Sequence, residues 1–280
     1  MKIRSLFQRY PLATYFVLAF AISWGSTFLI IGPASMRGET FELSRVIQVG
    51  MLIMAGPLVA GILSTYLVDG KEGLQNLLSR MLKWRVAPRW YAAGILTFPV
   101  LIVALLLVLS NFASSEFTPN FLAIGVVMGL FAGFLEEIGW TGYAYTKMQK
   151  KHGALRAALI LGLIHGVWHV GPNYLFEASS LGVYWLPRFT VMWMVAMVAM
   201  RVILVWIYTN TRSLFLAQLT HASSTGSLVV FGPSPITPAD ETLWWGIYAL
   251  ILWVVAGVLI ARYGEDLVRK PRHPKLAVAH

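Results

Sequence analysis

Residues 129–147 read GLFAGFLEEIGWTGYAYTK, and this stretch decides the fold. An apolar, small-residue run leads straight into two adjacent carboxylates, Glu136 and Glu137, and then into more aromatic and small residues before the first lysine. An ionisable group at the centre of a bilayer costs about 2.5–3.5 kcal/mol on insertion scales. A pair of them inside such a run therefore points to a polar site enclosed by other helices.

The rest of the chain supplies those helices. Of its 280 residues, 58% are hydrophobic and 12% charged, against about 25% charged in ordinary soluble domains. Apolar runs of about 17–25 residues read as membrane spans. Eight are predicted, at 12–31, 46–68, 91–111, 120–145, 156–176, 186–209, 213–231 and 242–262. The expected fold is an all-α membrane protein, a bundle of about eight transmembrane helices, with residues 1–264 as one domain and 265–280 as a flexible cytoplasmic tail. The first run follows Lys2, Arg4 and Arg9 but is too long for a signal-peptide core of 7–15 residues, so it is read as a retained helix.

With eight spans, nearly all loop Lys and Arg residues fall on one side, and the other side holds Arg37, Arg45 and Arg188. The positive-inside rule then puts both termini in the cytoplasm and makes the chain a multi-pass integral membrane protein. The net charge of +10 belongs to this loop pattern, and no nucleic-acid partner is expected. The stretch 69–90, DGKEGLQNLLSRMLKWRVAPRW, spaces Leu74, Leu77, Leu78, Met81 and Leu82 at helical intervals between polar residues. It predicts one amphipathic helix on the cytoplasmic membrane surface. There is no cysteine, which excludes disulfides and thiol chemistry.

Other polar residues lie at matching depth. Span five contains LILGLIHGVWHVGP, with His165 and His169, span seven contains LAQLTHASSTGS, with His221, and span six carries Arg201. At 1.5 Å per residue, Glu136, His169, Arg201 and His221 lie roughly 14–20 Å from the basic edge. Four helices thus contribute to one polar layer. A carboxylate removed from water is a stronger base, a histidine can hold a water against it, and a second can donate to a developing oxyanion. Those are the parts for water attack on an amide. Glu136, His169 and His221 are also a ligand set for a divalent metal such as zinc. The zinc-protease HExxH motif is absent, because Gly166 stands where its glutamate would be. A metal is allowed and not demanded.

These residues resemble the type II CAAX prenyl proteases and their bacterial relatives, the bacteriocin-processing and abortive-infection (CPBP) proteins. That family has eight membrane helices and the motifs EExxxR, (F/W)xxxH and HxxxN. Here the first stands as Glu136-Glu137-Ile138-Gly139-Trp140-Thr141, the second as His165-Gly166-Val167-Trp168-His169, the third as His221-Ala222-Ser223-Ser224-Thr225. The resemblance implies a membrane endopeptidase acting on a peptide or lipid-anchored protein. It implies that Glu136 activates water with His169 assisting, that Glu137 supports the site, and that His221 and Thr225 face the oxyanion. Three positions depart: Thr141 replaces the motif arginine, Thr225 the asparagine, and His165 the aromatic. Arg201, at the depth of Glu136, is expected to supply the missing cation. A catalytically impaired scaffold or immunity protein is the alternative reading, followed by a proton-coupled transporter.

Overall fold

In the computed structural model, residues 3–39 and 41–268 are described, less the side chains of Leu43 and Val46. Lys2 and the part of the expected tail from 269 to 280 lie outside the described residues. The described chain is helical, without strands, in the order α1 (Ile3–Arg9), α2 (Pro11–Met36), α3 (Leu43–Met81), α4 (Pro88–Phe112), α5 (Ile124–Gly139), α6 (Thr146–His152), α7 (Ala154–Trp168), α8 (Val170–Leu181), α9 (Trp185–Phe189), α10 (Met197–Thr211), α11 (Leu214–Phe231) and α12 (Pro238–Tyr263). Two π-helical turns, Trp140–Tyr145 and Thr190–Ala196, join α5 to α6 and α9 to α10.

Seven stretches are long and apolar enough to cross a membrane. The predicted interval 156–176 is covered by the 15-residue α7 and the start of α8, which meet at His169. The chain is a multi-pass membrane protein. Its exterior agrees: Leu250, Val254 and Val258, four residues apart on α12, are all exposed. Such an apolar stripe suits lipid and would be a liability in water. The polar residues run the other way, with Glu137, His165 and Arg201 fully enclosed.

Small residues set the closest helix approach. A Cβ on Gly129 would lie 2.3 Å from the Ala222 carbonyl oxygen, and one on Gly133 would lie 2.2 Å from that of Gln218. With no hydrophobic drive between helices in lipid, such close backbone contact is a main source of packing energy. Moving up α5 moves down α11, so the pair is antiparallel, and the turn after Gly133 brings Glu137 to His221.

Two local breaks shape the site region. Gly70 adopts φ 70°, ψ −158° inside α3. It separates the spanning part from residues 71–81, which lie within the predicted amphipathic stretch 69–90; there Leu77 is buried while Leu78 and, just past the helix end, Leu82 are exposed. The second break follows from Pro172, which has no N–H to bond the Trp168 carbonyl four residues earlier. That carbonyl accepts instead from Trp24 Nε1, at 2.8 Å. The helix therefore divides at His169, whose own N–H bonds Gly166 rather than His165.

At the end away from the lysines, Arg188 joins three helices, pairing with Glu177 of α8 and, at 2.8 Å, with Glu241 of α12. At the basic end the first residues after α12 fold back. The Glu265 carbonyl accepts from Leu155 N at 3.0 Å, the Leu267 carbonyl from Asn210 Nδ2 at 2.7 Å, and Leu267 is buried.

Candidate active site

α5 ends on the glutamate pair, and the π-helical turn that follows returns two side chains to it. Trp140 Nε1 donates to Glu136 Oε2 at 3.2 Å, and the Thr141 hydroxyl donates to Glu137 Oε2. Both are contacts between residues four apart on one helix. Rare π-helical turns are frequent at functional sites because they redirect side chains without ending the helix.

Arg201 enters from α10 and is fully buried. Its Nη1 lies 2.8 and 2.9 Å from the two oxygens of Glu137 and 3.3 Å from the Thr141 hydroxyl. Its Nη2 lies 2.7 Å from His165 Nδ1. A guanidinium only donates, so His165 Nδ1 is the acceptor and the ring proton sits on Nε2. That nitrogen is 3.1 Å from Glu136 Oε2 and donates to it. One cation thus fixes both a carboxylate and a tautomer. The chain of contacts runs from Glu137 through Arg201 and His165 to Glu136.

The two carboxylates end up in unlike states. Glu137 receives Arg201, Thr141 and His221, whose Nδ1 lies 2.8 Å from Oε1, and it is 0% exposed. Glu136 receives Trp140 and His165 on Oε2 alone, and among the described residues Oε1 has no hydrogen-bond partner. Glu136 retains 4% exposure. The open oxygen belongs to Glu136, and Glu137 is saturated.

His221 Nδ1 donates to Glu137 Oε1, so in the singly protonated ring Nε2 is the acceptor. His169 is placed differently. It is half-buried at the helix break, and its ring stacks on Trp193, centroids 3.4 Å apart at 20°. It makes no side-chain hydrogen bond among the described residues. Thr225 lies one turn beyond His221 and lines an apolar cavity of about 200 Å³ with Trp193 and Tyr248.

The site lies in a stretch that is similar to known proteins. Residues 118–227 match the family model described as type II CAAX prenyl endopeptidase Rce1-like. That stretch is similar to the Rce1-like CAAX endopeptidases. It contains Glu136, Glu137, Thr141, His165, His169, Arg201, His221 and Thr225, and it bears out the family resemblance read from the motifs. The chain is also similar to a CAAX prenyl protease 2 of Methanococcus maripaludis, 24% identical over 218 residues, which cover 70% of this chain and 79% of that protein.

Within this stretch, the structure bears on two sequence expectations. The first concerns the neighbour of Glu136: its hydrogen bond comes from His165, which fills the aromatic position of the second motif. The His169 ring stands beside that of His165, centroids 5.3 Å apart, and stacks on Trp193. The second concerns the metal. Among the described residues no three His or carboxylate side chains form a group able to hold an ion. Glu136 Oε2 is taken by two donors, His221 Nδ1 is turned to Glu137, and His169 lies on Trp193. The set Glu136, His169 and His221 does not fit a metal, and no step below runs through one. Trp140 and Trp193 were not singled out from the sequence. The first was legible, because it stands four residues after Glu136.

Proposed function

We propose that this chain is an intramembrane endopeptidase that hydrolyses a peptide bond with a water activated by Glu136. The observation that carries this reading is the asymmetry of one carboxylate: Oε2 is held by Trp140 and His165, and Oε1 is left open. A base must be fixed in direction and still offer a free lone pair. Glu136 meets both conditions and Glu137 meets only the first.

The chemistry then runs as follows. Water attacks the scissile carbonyl carbon and gives its proton to Glu136 Oε1. His221 Nε2, an acceptor in its Nδ1–H tautomer, orients that water by taking a hydrogen bond from it. The carbonyl oxygen becomes an oxyanion, and an N–H of His169 is the donor free to meet it. Glu136 next passes its proton to the departing nitrogen, and the C–N bond breaks. Glu137 and Arg201 hold His221 and His165 in place. Thr225 stands on the oxyanion side, one turn from His221.

The substrate in this reading is a peptide or a lipid-anchored protein, in keeping with the Methanococcus relative being a CAAX prenyl protease. Both termini face the cytoplasm, since the Lys/Arg-rich loops lie at that end. The reading as an impaired scaffold draws on the threonines at 141 and 225. Arg201 brings a cation to Thr141, which answers the first of these and leaves the second.

The test is cleavage of a peptide library by purified protein, wild type against Glu136→Gln, with and without chelator. Loss of general-base help lowers the rate about 10²–10⁴-fold, and chelator leaves the rate unchanged. Equal cleavage by both proteins would remove Glu136 from the mechanism.

A further inference from the structure

A second polar space lies at the basic end, away from the glutamate pair. It is a cavity of about 860 Å³ between the short amphipathic helix 71–81, the π-helical turn Trp140–Tyr145, α6 and the end of α10. Its size is that of an ordinary small-molecule site. Five cations line it: Arg80, Lys83, Lys147, Lys150 and Arg212. Asp69 is the one carboxylate among its lining residues, and it is spent on Lys147 at 2.9 Å.

The other cations are held by neutral groups or by none. Arg80 donates to the Tyr208 hydroxyl at 2.7 Å and to the Gly142 carbonyl at 3.0 Å, and Arg212 donates to Gln149 at 3.2 Å. Lys83 and Lys150 make no ion pair among the described residues. Such a concentration of unbalanced positive charge around an open space is suited to an anion with several acceptor oxygens.

The same helix says where that anion comes from. Asn76, Ser79 and Arg80 face the cavity, while Leu78, Leu82 and the following Trp84 are exposed. Exposed leucine and tryptophan beside a cationic face seat a helix at the lipid headgroup level. The mouth of the cavity is then at the height of the phosphates.

We propose that this cavity binds the phosphate-bearing headgroup of an anionic phospholipid. Arg80 would touch both that phosphate and Gly142, and so join the lipid to the turn that carries Trp140 and Thr141. The proposal is independent of whether the chain cleaves peptides.

The experiment compares retention of phosphatidylglycerol by the full chain, taken from mixed phosphatidylcholine–phosphatidylglycerol micelles and read by native mass spectrometry. Lys83→Ala/Lys150→Ala removes two cavity cations. Lys71→Ala/Arg156→Ala removes two exposed cations of the same end that do not line the cavity. Each lysine near an anionic headgroup contributes about a factor of five, so the cavity double should lose about 25-fold in apparent affinity and the control less than about fivefold. Equal loss in both doubles, or loss in neither, overturns the proposal. A third arm adds inorganic phosphate to delipidated protein. Thermal protection equal to that given by the lipid would assign the site to a soluble phosphate and overturn the lipid assignment.

Discussion

At the scale of single residues, the site depends on how one guanidinium divides its donors. Arg201 neutralises Glu137 and, through His165 Nδ1, decides where the imidazole proton sits. Removing one member of a buried ion pair costs about 3–5 kcal/mol, because the partner is left unpaired. Arg201→Met and Glu137→Gln should each lower thermal stability in detergent by that order, and the double variant should lose clearly less than the sum. Additive losses would show that the pair is not energetically coupled. Trp140→Phe keeps the ring and removes a donor to Glu136. Peptide cleavage should fall about tenfold with thermal stability changed by less than about 1.5 kcal/mol, the usual net worth of one hydrogen bond.

Much of this layer was legible in the sequence. Helical rise alone grouped Glu136, His169, Arg201 and His221 at one depth, and the absence of arginine at 141 made a buried arginine elsewhere worth seeking. What could not be read was the choice between His165 and His169. They sit four apart on one helix face, and the difference arises from a helix break and a π-helical turn. Neither has a strong sequence signal, although Pro172 three residues after His169 was a partial one.

At the scale of elements, the break at His169 offers a compensation test. Trp24→Phe removes the donor that satisfies the Trp168 carbonyl, at a cost of about 1–3 kcal/mol for an unmet buried acceptor. Pro172→Ala restores a backbone N–H at the position from which a regular helix would bond that carbonyl. The double variant should recover the stability lost by Trp24→Phe, and its cleavage activity should stay low because His169 is drawn into a continuous helix. Stability that remains low in the double variant would show that the tryptophan acts through packing alone. The α5–α11 seam is less forgiving. Gly133→Leu places side-chain atoms where the Gln218 carbonyl already stands and should abolish a monodisperse peak on gel filtration. Gly246→Leu, with nothing within 4 Å of its Cβ position, should not.

For the whole molecule, the chain presents apolar side chains outward and encloses Glu136, Glu137 and Arg201 at one site, with Arg188 buried apart from them. Its lack of cysteine makes single introduced cysteines unique labels. In the proposed orientation, Lys150→Cys should react with an impermeant maleimide only after cells are opened, and Arg37→Cys should react in intact cells. The reverse pattern would invert the orientation. Seven of the eight sequence intervals match stretches long and apolar enough to span, because hydropathy over twenty residues is a strong signal. The 15-residue α7 is the weak point of that reading, since its apolar run continues past a break that hydropathy cannot see.

The π-helical turn at Trp140–Tyr145 has a consequence for the reading frame of the helix it interrupts. Such a turn is an ordinary helix holding one surplus residue. Loss of a residue elsewhere in α5 would rotate everything after it by about 100° and tear α6 from its neighbours. Loss of one residue inside the turn, such as Ala144, would take up the surplus and leave α6 in phase. This copy of the bundle can therefore shorten at the one place where its chemistry is built, keeping its shape while surrendering its site.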